Sequence, residues 1–362
     1  MPLIQTEHRF PCAQCGAALR FAPGQDRLTC EYCGHAQDIP GLTDEDRATV
    51  LETLDYHAAV AEILPADQIE ETRVTACPNC GAQVTFDEKE HASQCPFCAT
   101  PVVADTGTHR HIKPQAVIPF RLTERDAHEK MNQWLKRLWF APNGLAQYAR
   151  NDRRLDGLYV PYWAFDADTT SDYQGARGTY YYVSVSDGKG GTRQERRTRW
   201  TSTSGRVARR FMDLLIMAST SLPRRYVRKL EPWTLSELEL YNPQYLSGFR
   251  AEGYTVDLPD GFALAKERMA EVITEDARRD IGGDEQRVTS VRTTYADERF
   301  KHLLLPIWVA AYRYRDKSYR FVVNAQSGRV QGERPWSAWK IALAVIAALI
   351  LLAGGFYLAE FA

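Results

Sequence analysis

Cys12-Ala-Gln-Cys15 … Cys30-Glu-Tyr-Cys33 and Cys77-Pro-Asn-Cys80 … Cys95-Pro-Phe-Cys98 contain every cysteine of this 362-residue chain. The two stretches are one pattern used twice, with 14 residues between the inner cysteines in each. Gly16-Ala17 and Gly81-Ala82 close the first pair of each copy, and a short apolar strand follows, Ala18-Leu-Arg-Phe21 or Val84-Thr-Phe86. Two Cys-x-x-Cys knuckles joined by a hairpin bring four thiolates around one tetrahedral ion. The unit reads as a zinc ribbon. A segment this short cannot bury a self-sufficient core, so the metal supplies folding energy, on the order of 10–16 kcal/mol per structural site. Four thiolates leave no open coordination position, so both Zn²⁺ sites are expected to be structural. A disulfide framework is the alternative, but Met1 to Phe10 has no apolar core of a secretory signal. Iron held by four thiolates is a rival that spacing does not exclude.

At the other end, Ile341 to Ala359 carries no charge. As a helix it spans about 28 Å, close to the hydrocarbon thickness of a bilayer. Trp336, Trp339 and Lys340 precede it, and Phe356, Tyr357 and Phe361 close it, as interfacial anchors do. Arg329, Arg334 and Lys340 lie before the span and Glu360 after it. The positive-inside rule then places the N-terminal bulk in the cytoplasm, where thiolates stay reduced. The expectation is a single-pass protein of the inner membrane with a cytosolic head.

The region between is expected to be mixed. Thr43 to Glu71 is acidic, with Val50, Leu51, Leu54, Tyr56, Val60 and Ile63 on one face, and reads as a helical spacer ended by Pro65. Thr123 to Trp139 and Phe262 to Ile281 read as helices, each followed by a strand. Those strands open with matching text, Leu158-Tyr-Val-Pro-Tyr-Trp163 and Leu303-Leu-Leu-Pro-Ile-Trp308. The proline in each implies an edge, a strand start or a bulge. Tyr319 to Val330 reads as a hairpin turning at Ala325 to Gly328, weakly similar to the closing hairpin of PepSY-type domains. The expected fold class is α+β. It has ribbon 1 at 1–40, an acidic helical spacer at 41–73 and ribbon 2 at 74–105. A mixed cytosolic domain of two related halves follows at 113–335, and a transmembrane helix at 341–359.

Net charge is −1, so overall charge names no partner. Lys189 to Lys229 is nonetheless strongly basic, with only Glu195 and Asp213 opposing within the stretch. Arg193, Arg196, Arg197, Arg199, Arg209 and Arg210 are candidates for an anionic surface. Three readings stand: a solvated charged face, contact with anionic lipid, or contact with nucleic acid. Asp166, Asp168 and Asp172 follow the first Pro-Tyr-Trp strand, and Asp166 with Asp168 reads as its solvent side or as a cation site. The eight histidines are scattered, and neither a Gly-x-Ser-x-Gly elbow nor a phosphate-binding loop occurs. No catalytic constellation is legible, and the expectation is a protein that is not an enzyme.

The tandem ribbons, Val160-Pro-Tyr-Trp-Ala-Phe-Asp-Ala167, Trp139-Phe-Ala-Pro142 and the final apolar span together resemble a family of bacterial membrane-anchored zinc-ribbon proteins. Members are often labelled relatives of the primosomal helicase N′, yet this chain has no Walker motif. Some similar proteins are linked with flotillin-like SPFH proteins and phage-shock-type coat proteins. The resemblance implies a non-enzymatic adaptor that recruits proteins to the inner membrane. The alternative is a membrane-anchored nucleic-acid-binding protein without helicase activity.

Overall fold

A computed structural model describes residues 10–41, 43, 45, 48, 52–61, 63–65, 68–77, 83–85, 92–94, 101–103, 108–142, 155–186, 191–314, 317–333 and 336–361. The chain opens with β1 (Leu19–Ala22), β2 (Arg27–Cys30) and β3 (Ala36–Asp38), a three-stranded antiparallel sheet in that order. β4 (Leu54–Asp55) and α1 (Tyr56–Val60) follow. Short strands come next: β5 (Ile69–Ala76), β6 (Gln83–Thr85), β7 (Ala92–Gln94), β8 (Pro101–Val103), β9 (Thr108–Ile112) and β10 (Ala116–Val117). The body is built from α2 (Glu124–Lys136), β11 (Asp156–Ser186), β12 (Thr192–Met217), α3 (Arg224–Leu230), β13 (Glu239–Leu240), β14 (Arg250–Ala251), α4 (Leu258–Ile281), β15 (Glu285–Tyr314), β16 (Lys317–Asn324) and β17 (Val330–Gly332). A last helix, α5, covers Ala338–Phe361.

A nine-stranded sheet dominates, and three of its strands, β11, β12 and β15, run to 31, 26 and 30 residues. The chain is therefore mostly β, which corrects the expectation of an α+β fold with a mixed helix and sheet domain. The short apolar openings of two strands were legible. Their continuation through Thr-, Ser-, Tyr- and Arg-rich text was not, because a strand paired on its neighbours needs no further apolar core.

The membrane expectation is also corrected. Among the described residues, no helix is long and apolar enough to cross a membrane. A transmembrane helix over 341–359, and the inner-membrane location drawn from it, are not supported. The helix start is instead pinned to the body, where Lys340 Nζ donates to the carbonyls of Ala141 (2.8 Å) and Trp139 (3.2 Å). Leu349, Ile350, Leu351 and Leu352 stand exposed along it.

The stretch expected as one acidic helix is divided. Leu54 and Asp55 pair with Phe300 and Arg299 as a strand, and helix resumes only over Tyr56–Val60. The Tyr56 ring packs tilted against Phe262 with centroids 4.5 Å apart, which ties this segment to α4.

The centre of the sheet is self-complementary. Leu158–Trp163 pairs antiparallel with His302–Ile307, so the two matching stretches lie side by side. Both prolines sit inside interior strands, not at an edge, start or bulge. A strand residue points its N–H and C=O to the same side. The Pro161 carbonyl accepts from Ala218 N (2.9 Å), and the Pro306 carbonyl accepts from Ala325 N (3.0 Å). Those alanines lie where β12 and β16 end, so each missing N–H faces the end of a neighbouring strand and breaks no ladder.

The same exchange governs the helices. Trp163 Nε1 donates to Val256 O (2.9 Å), the residue before the N-cap Asp257 of α4. Trp308 Nε1 donates to Leu122 O (3.0 Å), the residue before the N-cap Thr123 of α2. Ala218 O accepts from Thr255 and Val256, and Ala325 O from Arg121 and Leu122. β14 lies parallel to β11 at Leu158–Tyr159, and β10 parallel to β15 at Leu303–Leu304. Two helix–strand–strand units thus clasp each other about a quasi-two-fold axis.

Candidate metal centre

The ligands of the first ribbon sit on two matching turns. Gly16 N donates to Cys12 O (2.8 Å) and Cys12 N to Ala17 O (2.7 Å). Gly34 N donates to Cys30 O (3.0 Å) and Cys30 N to His35 O (2.8 Å). Gly16 and Gly34 take φ of 73° and 75°, the left-handed conformation that turns each chain past its second cysteine. The Sγ atoms of Cys12, Cys15, Cys30 and Cys33 all lie within 4.8 Å of one another. Cys12–Cys33 and Cys15–Cys30 are each 3.5 Å apart.

A tetrahedral ion with metal–sulfur bonds of about 2.3 Å needs sulfurs about 3.8 Å apart, so the four thiols fit one ion. Their acidities already differ. Backbone N–H bonds at Cys33, opposed by burial, bring the Cys30 thiol down to about 7. Despite a bond at His35, burial and the neighbouring thiols push Cys33 up to about 12. Like charges in one small cluster cannot all ionise unaided, and a divalent cation removes that conflict. With four protein ligands the site would be closed, suited to holding structure and not to activating water.

The ribbon is built into the body. Leu19, Phe21 and Leu28 are buried in one cluster with Tyr159, Tyr245 and Trp308. Phe21 meets the Tyr245 ring edge-on at 5.4 Å, its N–H donates to Ser247 O (3.0 Å), and Ser247 Oγ donates to Leu19 O (2.7 Å). Gly24 N donates to Phe120 O (2.9 Å), and Arg121 pairs with Asp26 at 3.0 Å. Nothing in the cysteine spacing announces this docking surface. The alternation of Leu19, Phe21 and Leu28 was its only trace.

In the second set, Cys77 is buried beside β5, while Cys80, Cys95 and Cys98 lie outside the described residues. β5 pairs with β6, and β7 with β8.

The fold separates the basic candidates into two groups. Arg209 makes a bidentate pair with Asp276 of α4 (2.5 and 2.7 Å), and Arg210 one with Asp168 (2.6 and 2.7 Å). Arg206 meets Asp172 at 2.6 Å. The carboxylates missing from the linear stretch are thus supplied by the adjacent strand and helix. Asp168 and Asp172 are consumed as these partners, and hydrogen bonds from Arg210 and Arg206 hold both below the usual carboxylate range. Arg193, Arg196, Arg197 and Arg199 lie further out, where β11 and β12 continue as a two-stranded ribbon past the last β11–β15 pair, Gly178–Glu285. Arg196 stacks over Tyr180 (4.3 Å), Arg199 over Tyr181 (5.3 Å), and Arg287 over Trp200 (3.9 Å). β12 is an edge strand among the described residues, and its arginines discourage uncontrolled strand pairing.

Asp166 has a different role. It accepts from Asp213 N (2.6 Å) at a double bulge where Asp213 and Asp297 take φ of 51° and 49°. Lys301, 3% exposed, meets Asp213 at 2.5 Å. Burial, and then the neighbouring Asp213, raise Asp166 above its ordinary value. The carboxylates here have a buried cation and backbone donors as partners, so the arrangement is one of bulge geometry.

The chain is 26% identical over 363 residues to the uncharacterized protein YdjG of Bacillus subtilis (strain 168), covering 97% of this chain and 95% of that protein. No family model matches this chain. No solved structure matches it either. The printed name of that relative assigns it no activity.

Proposed function

We propose that this protein is a non-enzymatic binding scaffold: a zinc-ribbon head seated on a twisted β body, with the outer β11–β12 ribbon as the surface that engages a protein partner. The observation carrying this reading is the ribbon itself. β11 and β12 stay paired for Thr179–Ser186 and Thr192–Arg199, beyond the reach of β15. Core packing does not call for that extension. Tyr182 is 65% exposed there, and guanidinium–aromatic stacks hold Arg196 and Arg199 in place. Rigid aromatic and arginine side chains are what protein interfaces favour. Zn²⁺ is the ion proposed for Cys12, Cys15, Cys30 and Cys33, and a second Zn²⁺ for Cys77, Cys80, Cys95 and Cys98, because four soft thiolates select it. SPFH or phage-shock-type proteins, which the family resemblance suggests, are the first partners to test.

The test is pairwise binding of purified full-length protein to each such candidate. Affinity should fall at least tenfold when Tyr181 and Tyr182 are both changed to serine, with the metal content unchanged. Equal binding by the variant would remove the ribbon from the interface. A second reading, nucleic-acid binding without helicase activity, draws on the same arginine–aromatic alternation, since β-ribbons and stacking side chains engage nucleic acid. Steeply salt-dependent binding of single-stranded DNA, weakened by Arg196→Gln with Arg197→Gln, would favour it.

A further inference from the structure

The quasi-two-fold axis places two clefts in equivalent positions, and their charges differ. One, of about 370 Å³, lies between α3 and α4 and is lined by Leu264, Glu267, Arg268 and Glu271 of α4. The other, of about 430 Å³, is lined by Lys130, Gln133 and Trp134 of α2 and by its C-cap Arg137. These two quartets occupy corresponding helix positions, counted from the caps Asp257 and Thr123. The far wall corresponds too. Thr220 and Leu222, which follow Ala218, match Ser327 and Arg329, which follow Ala325.

In the α4 cleft the charges cancel. Arg268 pairs with Glu231 and Arg228 with Glu271. In the α2 cleft four cations converge, Lys130, Arg137, Lys229 and Arg329, and among the described residues no acidic one lines it. Among the described residues none of the four is within ion-pair distance of a carboxylate. Asp126, one turn before Lys130, is already engaged by the Thr123 hydroxyl (2.7 Å) and N–H (3.0 Å). Glu237, near the same wall, is held by Arg121 and Gln326. Gly328, at φ 74°, lets the Lys130 stem lie across the turn; a Cβ there would come within 3.0 Å of Lys130 Cε. The turn beneath is fixed by Asn324, whose Oδ1 accepts from Gln326 N and Ser327 N, both at 2.8 Å. Four like charges around one concavity repel each other, and a ligand of opposite sign relieves that cost.

We propose that the α2 cleft binds a compact, multiply charged phosphate anion of the diphosphate class, held by Lys130, Arg137, Lys229 and Arg329. Its size suits a small molecule, and arginine forks with lysine point charges are the usual donors to phosphate oxygens. The site is independent of the β11–β12 ribbon, which lies on another part of the sheet.

Isothermal titration of the full-length, metal-loaded protein with inorganic pyrophosphate, at constant ionic strength, tests this. One saturable site is expected. Changing Lys130 and Arg137 together to glutamine should weaken it at least tenfold, with the melting temperature of the ligand-free protein not lowered. Arg224→Gln with Arg228→Gln, in the equivalent cleft, should leave binding intact, as should Arg193→Gln with Arg197→Gln on the ribbon. Absence of saturable binding at millimolar pyrophosphate would overturn the proposal. So would an undiminished affinity in the Lys130/Arg137 variant, or an equal loss in either control.

Discussion

Gly261 shows how closely single atoms determine this core. A Cβ at that position would stand 2.5 Å from Trp163 Cδ1, so the first turn of α4 approaches the central indole only because it has no side chain there. Gly261→Ala should destabilise the protein by about 1–3 kcal/mol through overpacking, despite alanine's better helix propensity. Chemical denaturation would check it, and a variant at least as stable as wild type would contradict the packing. Asp276 gives a pH dependence. Its hydrogen bonds from Arg209 hold its carboxyl below the ordinary value. A depressed carboxyl stabilises the fold above the unfolded-state pKa, roughly 3.9, and that contribution is lost as pH falls through the lower folded value. Asp276→Asn should therefore lower the melting temperature at pH 7, with the gap to wild type closing towards pH 2–3.

Among the elements, the first ribbon joins the candidate metal site to the body. Cys12 and Cys30 share a buried cluster with Tyr245, Trp308 and Phe321. Chelation or Cys12→Ser with Cys15→Ser should therefore do more than unfold 1–40. It should expose the face of the sheet that Phe21 covers and lower the melting temperature of the whole chain. Metal analysis together with hydrogen exchange at Tyr245–Phe249 would check this; a body that keeps its protection after metal loss would show that the head is a separable module. The cysteines were readable because each knuckle is a local four-residue turn. Its docking surface was not, because Ser247 and Phe249 are more than 200 residues away in the chain and only the folded sheet brings them to β1.

For the whole molecule, the clasp between halves should behave as two equal bonds. Trp163→Phe and Trp308→Phe each remove one indole N–H bond to the carbonyl preceding a helix cap, and leave that carbonyl unpaired. Each should cost about 1–3 kcal/mol in denaturant unfolding. Similar costs would reflect the quasi-two-fold arrangement, whereas a neutral result at one site would show that only the other half relies on the clasp.

Local patterns were enough for what local chemistry governs. The cysteine spacing set the metal knuckles, Thr123 and Asp126 set the start of α2, and the matching Leu158–Trp163 and Leu303–Trp308 stretches marked two comparable strands. The tertiary structure decided what depends on contacts between distant residues. It paired those two strands with each other and turned both prolines towards strand ends. It also neutralised Arg209 and Arg210 with Asp276 and Asp168, and left the charges of the α2 cleft unmatched. Charge and hydrogen-bond balance are summed over neighbours in space. In a chain whose longest strands pair across more than a hundred residues, those neighbours are not the neighbours in sequence.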